Sequence, residues 1–160
     1  MELHIFVLVQ AVVVALPAAW LSLGALDNIL HPSINRDDVA RVLALEALRE
    51  WPDVQARVGH RAVKNERVVR LLFILVVMAE CAASILLWIG AVSLGLAFFG
   101  LADHGQACDL AMIGALGFTS IWASFLIGGQ WFYYWYGEFG QSTHLKATLW
   151  GLATLIILAL

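Results

Sequence analysis

The sequence predicts an all-α membrane protein: four transmembrane helices with an amphipathic helix in the first loop. Three observations carry that prediction. Of the 160 residues, 62% are hydrophobic and 13% charged, against roughly 45–50% and about 25% in soluble domains; mean hydropathy is +0.85. Four stretches are long and apolar enough to cross the ~30 Å hydrocarbon core, which takes about 20 helical residues. Eight of the nine Lys and Arg (Arg36, Arg41, Arg49, Arg57, Arg61, Lys64, Arg67 and Arg70) lie between the first stretch and the first turn of the second. This composition excludes a soluble globular protein, a disordered chain and a basic nucleic-acid binder, and the net charge of -3 implies no strongly charged partner.

The first span covers about residues 4–26 and is uncharged between Glu2 and Asp27. It exceeds a secretory h-region, and Pro17, Trp20 and Leu23 interrupt any small-x-small cleavage site, so a retained span is expected, kinked at Pro17. In the polar loop 27–67, Asn35 is the expected helix N-cap, with Asp37 and Asp38 in the first turn where carboxylates suit the helix dipole. That helix is expected to reach Trp51, ahead of Pro52. Val39, Val42 and Leu43 share a face, while Leu45 and Leu48 point elsewhere. Such a helix either rests on the membrane surface or lies against a partner, with Val39, Val42, Leu43, Leu48 and Trp51 as contact candidates.

The second span, about 68–98, carries one charge past Arg70 in its first turn, Glu80; the third covers about 107–131 and the fourth about 143–160. With backbone groups satisfied internally in lipid, all are helices, and residues 1–160 form a single integral membrane domain. The loop between spans two and three lacks Lys and Arg, while Lys146 opens the fourth span. The positive-inside rule therefore places loop 27–67 in the cytoplasm, and a bacterial inner membrane is the expected location. Neither an internal repeat nor inverted hydropathy symmetry is present.

His4, His31, His60, His104 and His144 all lie at span ends or in loops. Haem ligation inside the bundle is therefore not expected; His4 and His144 are the candidates for a pigment ligand near the interface. Cys81 and Cys108 sit at different depths, too far apart for a disulfide, and no metal site is expected. Ser120, Ser124 and Gly128 repeat every four residues beside the row Ala111, Ala115, Thr119 and Ala123. Small side chains let helix backbones approach, so Ser120, Ser124 and Gly128 are the candidate packing stripe, against this chain's own helices or another subunit.

Glu80, Gln10 and Gln130 are the expected buried polar groups. Glu80 should lie near the midplane, where an ionised carboxylate costs ~2.5–3.5 kcal/mol or more. With Arg70 and Lys146 confined to the ends of their spans and no basic residue deeper to pair with it, a neutral carboxyl facing protein is expected. Its candidate partners are Gln10, Ser84, Thr119, Ser120 and Ser124. The most distinctive run is Trp131-Phe132-Tyr133-Tyr134-Trp135-Tyr136, after Gly128-Gly129-Gln130. Such rings suit the headgroup level, with a turn expected at Gly137 or Gly140. Trp131, Phe132, Tyr134 and Trp135 are the aromatic candidates for contact with a lipid, quinone or pigment.

Gly128-Gly129-x-Trp131-Phe132-x-x-Trp135, followed by Gly140-Gln141, resembles the signature of the small integral membrane proteins called domain of unknown function 2165. Asn35, the run Val42-Leu43-Ala44-Leu45, and Glu80 followed by Gly90 are similar to further parts of that pattern. The resemblance implies four spans and a polar loop after the first, and implies no biochemical activity.

The expected function is a non-catalytic accessory or assembly subunit of a larger membrane complex, bioenergetic in kind, respiratory or photosynthetic. The sequence offers no nucleophile–base pair, metal cluster or phosphate loop. The expected partners are membrane lipids and other membrane subunits, not nucleic acid, and no cofactor is predicted beyond a bound lipid, quinone or pigment. One alternative is a small transporter or proton-conducting protein using Glu80 with Gln10 or Gln130. Another is a membrane enzyme acting on lipid or quinone near Trp131–Tyr136, with Glu138 or His144 as base.

Overall fold

The computed structural model describes residues 2–137 and 140–160, with side chains from Ile5 onward. Four long helices are apolar enough to span a membrane: α1 (Glu2–Leu30), α4 (Glu66–Phe98), α5 (His104–Trp131) and α6 (Gln141–Ala159). No strand occurs among the described residues. Most helix ends run beyond the apolar stretches because a cap, not hydropathy, decides where a helix begins. The Asn65 side chain accepts the Arg67 N–H (2.9 Å) ahead of α4, and Asp103 accepts the Gln106 N–H (2.9 Å) ahead of α5. The first helix is continuous through Pro17, whose ring is buried, and runs on past Asp27 to Leu30.

The spans form a curved row. α1 packs along α4, α4 along α5 and α5 along α6, while α1 touches α5 and α6 only sparsely. Glycines set the seams, since association in lipid relies on close packing. A methyl group on Gly90 would lie 2.8 Å from Ala111 N, and one on Gly114 2.7 Å from Leu87 N. Gly151 lets α6 press on Phe118 and Thr119. The Ser120–Ser124–Gly128 stripe expected to pack is not this seam: Ser120 and Ser124 are exposed, and the space before Gly128 is open. Ser124 donates its hydroxyl to Ile121 O (2.7 Å), so it can face away from protein. The buried row is Ala107, Ala111, Gly114, Ala115 and Phe118, which overlaps the neighbouring stripe.

The helix expected from Asn35 to Trp51 is instead broken in two. α2 (Pro32–Leu43) is followed by a 3-10 turn at Glu46–Leu48 and by α3 (Pro52–Val58). Pro32 takes the first helical position, where its missing N–H costs nothing, so His31 precedes the helix and Asn35 lies inside it. The break falls at Leu45, whose φ of 58° is left-handed. That conformation costs about 1–2 kcal/mol for a non-glycine residue. It drops Leu45 and Leu48, 1% and 0% exposed, into a second core with Val58, and each buried leucine contributes about 1.5–3 kcal/mol. Phe132 and Tyr133, just past the far end of α5, complete that core.

The five partner-contact candidates therefore do not share a face. Leu43 and Leu48 are buried in this chain, Val39 and Val42 are half-buried, and Trp51 is exposed with its ring edge-on to Tyr136 (5.4 Å).

Candidate functional site

A cleft of about 790 Å³ opens where α1 and α4 part from α5 and α6. One wall comes from α1 (Trp20, Leu23, Gly24, Asn28) and α4 (Leu72, Val76, Glu80). Trp122, Phe125 and Gly128 of α5, with Tyr134, Thr143 and His144, form the other. α2 roofs it through Asn35, Val39 and Val42. Leu23 and Leu72 line the cleft and are also exposed on the outside of the bundle, so the cleft is reached from the apolar outer surface.

Glu80 is 5% exposed, and its partner is none of those named from sequence. Asn28 Nδ2 donates to Glu80 Oε2 (2.8 Å), and Asn35 Nδ2 donates to Asn28 Oδ1 (2.6 Å). Asn28 lies just beyond the uncharged stretch and reads as loop in the sequence; the extra turn of α1 carries it into the bundle opposite Glu80. Ser84 instead pairs with Ser22 (2.6 Å), to which Trp88 Nε1 also donates (3.0 Å). Thr119 donates to Ala115 O (2.7 Å).

Gln10 is buried but remote from Glu80. Near the opposite end of α1, its Nε2 donates to Ile157 O (3.3 Å), and its Oε1 lies 2.8 Å from His104 Nε2. Cys108 Sγ is 3.3 Å from the same imidazole nitrogen; Cys81 and Cys108 are both free. Gln130, expected to be buried, is exposed: in the last turn of α5 the inward position is its neighbour Gly129. The structure brings neither glutamine to the carboxyl.

The aromatic run turns earlier than the glycines suggest. Tyr133 adopts a left-handed φ of 55°, a 3-10 turn follows at Tyr134–Tyr136, and Gly140 (φ 84°) leads into α6. The turn folds Tyr134 back over Gly129, where an added Cβ would come 2.6 Å from Tyr134 Cζ. Tyr134 ends 3% exposed and stacked on His144, with centroids 5.9 Å apart and planes at 14°. Its burial pushes the phenol pKa above the ordinary value. Phe132 also turns inward, whereas Trp131, Trp135 and Tyr136 remain exposed. Arg61 clamps the run from the first loop, its guanidinium 4.1 Å over the Trp131 ring and Nη1 donating to Trp131 O (3.4 Å). Glu138 and the His4 side chain, both named from sequence, lie outside the described residues.

Three lining residues carry polar atoms that are shielded from solvent and have no hydrogen-bond partner among the described residues: Trp122 Nε1, Tyr134 Oη and His144 Nδ1. Buried polar atoms without partners are few in native proteins, and here three border one cleft. Sequence reasoning missed Trp122 entirely, because a tryptophan inside an apolar span looks like packing.

A family model described as a predicted small integral membrane protein, DUF2165, matches residues 6–160. The chain belongs to the DUF2165 family. No curated protein and no solved structure shows a significant match to it. In this DUF2165 chain the glycine–aromatic run has a concrete role. Gly129 admits Tyr134, Gly128 leaves the cleft open beside α5, Trp131 receives Arg61, and Gly140 turns the chain into α6.

Proposed function

We propose that the protein is a non-catalytic subunit of a larger membrane complex, bioenergetic in kind, and that it holds an amphiphilic molecule in the cleft. The lateral cleft carries this reading. Its volume of about 790 Å³ falls in the range of small-molecule sites, which are mostly apolar with a few placed polar groups. The non-catalytic assignment draws on the sequence, which offers no nucleophile–base pair, and on Asn28, which holds one oxygen of the Glu80 carboxyl. Extraction into polymer-bounded native discs followed by native mass spectrometry tests both parts. The expected result is co-purifying membrane proteins and a retained small amphiphile; a bare monomer would overturn the reading.

One observation favours a second reading. The chain of side-chain hydrogen bonds Asn35–Asn28–Glu80 joins the first loop to a buried carboxyl, an arrangement suited to a proton-conducting or transport protein. Proteoliposome flux lost in Glu80→Gln would support it, and flux indifferent to that change would remove it.

A further inference from the structure

We infer that the cleft takes an uncharged amphiphile whose head is a flat ring bearing carbonyl acceptors, the chemistry of a quinone. This rests on the amphiphile-binding reading above and narrows it.

Charge comes first. Among the described residues, no Lys or Arg lines the cleft; its carboxyls are Glu80, 5% exposed, and Asp38, tied to Arg41 (3.1 Å) at the exposed rim. An anionic head would meet a buried carboxyl with no counter-charge in a low-dielectric setting. A separate groove of about 490 Å³ between α2 and the start of α4 has the cations that the cleft lacks, Arg36, Lys64 and Arg70, beside Asp37 and Glu66.

Hydrogen bonding then selects among uncharged heads. Trp122 and Tyr134, 8% and 3% exposed, each have a polar atom without a partner. The indole nitrogen can only donate, and the phenol donates through its hydrogen. Both atoms are closed to solvent, so a carbonyl oxygen on the ligand meets either once the side chain turns it toward the cleft. His144 Nδ1 serves as donor or acceptor according to tautomer. On the facing wall, Asn28 engages only Oε2 of Glu80, leaving the other carboxyl oxygen for a second polar group of the head.

Ring geometry favours a flat head. Trp20 and Trp122 lie 5.1 Å apart, Trp122 and Phe125 5.5 Å, and Phe125 and His144 4.9 Å, all tilted or edge-on. They present both faces and edges to a planar guest. The tail leaves beside Leu23 on the outer surface. A lipophilic ammonium ion would also suit the aromatic faces and the carboxyl, but it carries no acceptor for the indole and phenol donors.

The test uses the full chain in phosphatidylcholine nanodiscs with three probes of equal tail length: a decyl-substituted para-benzoquinone, decylbenzene and decyltrimethylammonium. Each carries a photoreactive tail, and cross-links are mapped by mass spectrometry. Saturable quinone labelling of the segments holding Trp20–Asn28 and Trp122–Gly128 is expected. Tyr134→Phe keeps the ring and Trp122→Phe keeps an aromatic face, and both remove the donor. Each should weaken quinone labelling about tenfold and leave decylbenzene unchanged, with circular dichroism and elution volume confirming the fold. Gly128→Phe, filling the open space beside α5, should abolish labelling by every probe. If decylbenzene or the ammonium probe labels the cleft as well as the quinone does, or both Phe variants bind quinone normally, the carbonyl-ring assignment falls and amphiphile binding stands. If no probe labels these segments saturably, the amphiphile-binding reading falls with it.

Discussion

Asn28 is one methylene shorter than glutamine and sits two residues from the end of α1, yet it decides how a carboxyl is kept inside the bundle. Its amide gives one hydrogen to Glu80 and its carbonyl takes one from Asn35. Asn28→Leu removes both links while keeping the branched shape of the side chain. Hydrogen bonds between membrane helices contribute about 0.6–1.7 kcal/mol, so a loss of about 1–2 kcal/mol is expected in denaturant titration in mixed micelles. Ser120→Ala, on the exposed face, should change stability by less than about 0.5 kcal/mol. Tyr134 supplies a pH dependence. Burial raises its pKa in the folded state, so the unfolded phenol ionises first, from about pH 10. Its contribution is intact below that pH and is lost as the pH climbs through the raised folded value. Thermal melts between about pH 9 and 11 should fall more steeply for wild type than for Tyr134→Phe. Nothing about Asn28 or Trp122 was legible in the sequence, because each acquires its role only from a residue on another helix.

At the level of elements, the spans were legible and their seams were not. Lipid demands a composition, and composition can be read directly; a seam depends on which glycine meets which backbone. Gly114→Ala, placing a methyl 2.7 Å from Leu87 N, should cost about 1–3 kcal/mol, whereas Gly128→Ala, facing open space, should be near neutral. Unfolding of both variants in the same detergent provides the comparison. The first loop hides its break for a related reason. Leu45 and Leu48 stand off the Val39–Val42–Leu43 face, which the sequence did show, but their burial depends on Phe132 and Tyr133, just past the far end of α5. Arg61 holds that junction through Trp131. Arg61→Ala should expose the loop and speed proteolysis within residues 44–63, measured by limited digestion in nanodiscs; Arg61→Lys, lacking the planar guanidinium, should restore little of the protection.

For the whole molecule, the row of four spans leaves α1 and α6 loosely associated, and the cleft lies between the two halves of the row. An occupant bridging them should stabilise the entire bundle. At a hundredfold excess over its Kd, a ligand binding only the folded form adds about 2.7 kcal/mol. The amphiphile that occupies the cleft should therefore raise the melting temperature of wild type, and Gly128→Phe should erase the rise.

The second core also imposes an order on biosynthesis. Leu45 and Leu48 emerge from the ribosome some 88 residues before Tyr133, the separation 45 to 133. At ~5–20 residues per second, the first loop waits several seconds for its aromatic platform while two further spans enter the membrane. During that interval its leucines have only Val58 and its loop neighbours to rest on, so a chain arrested short of Trp131 should present a loosely closed loop to proteases and chaperones. The loop closes late, and its closure reports that the third span has arrived.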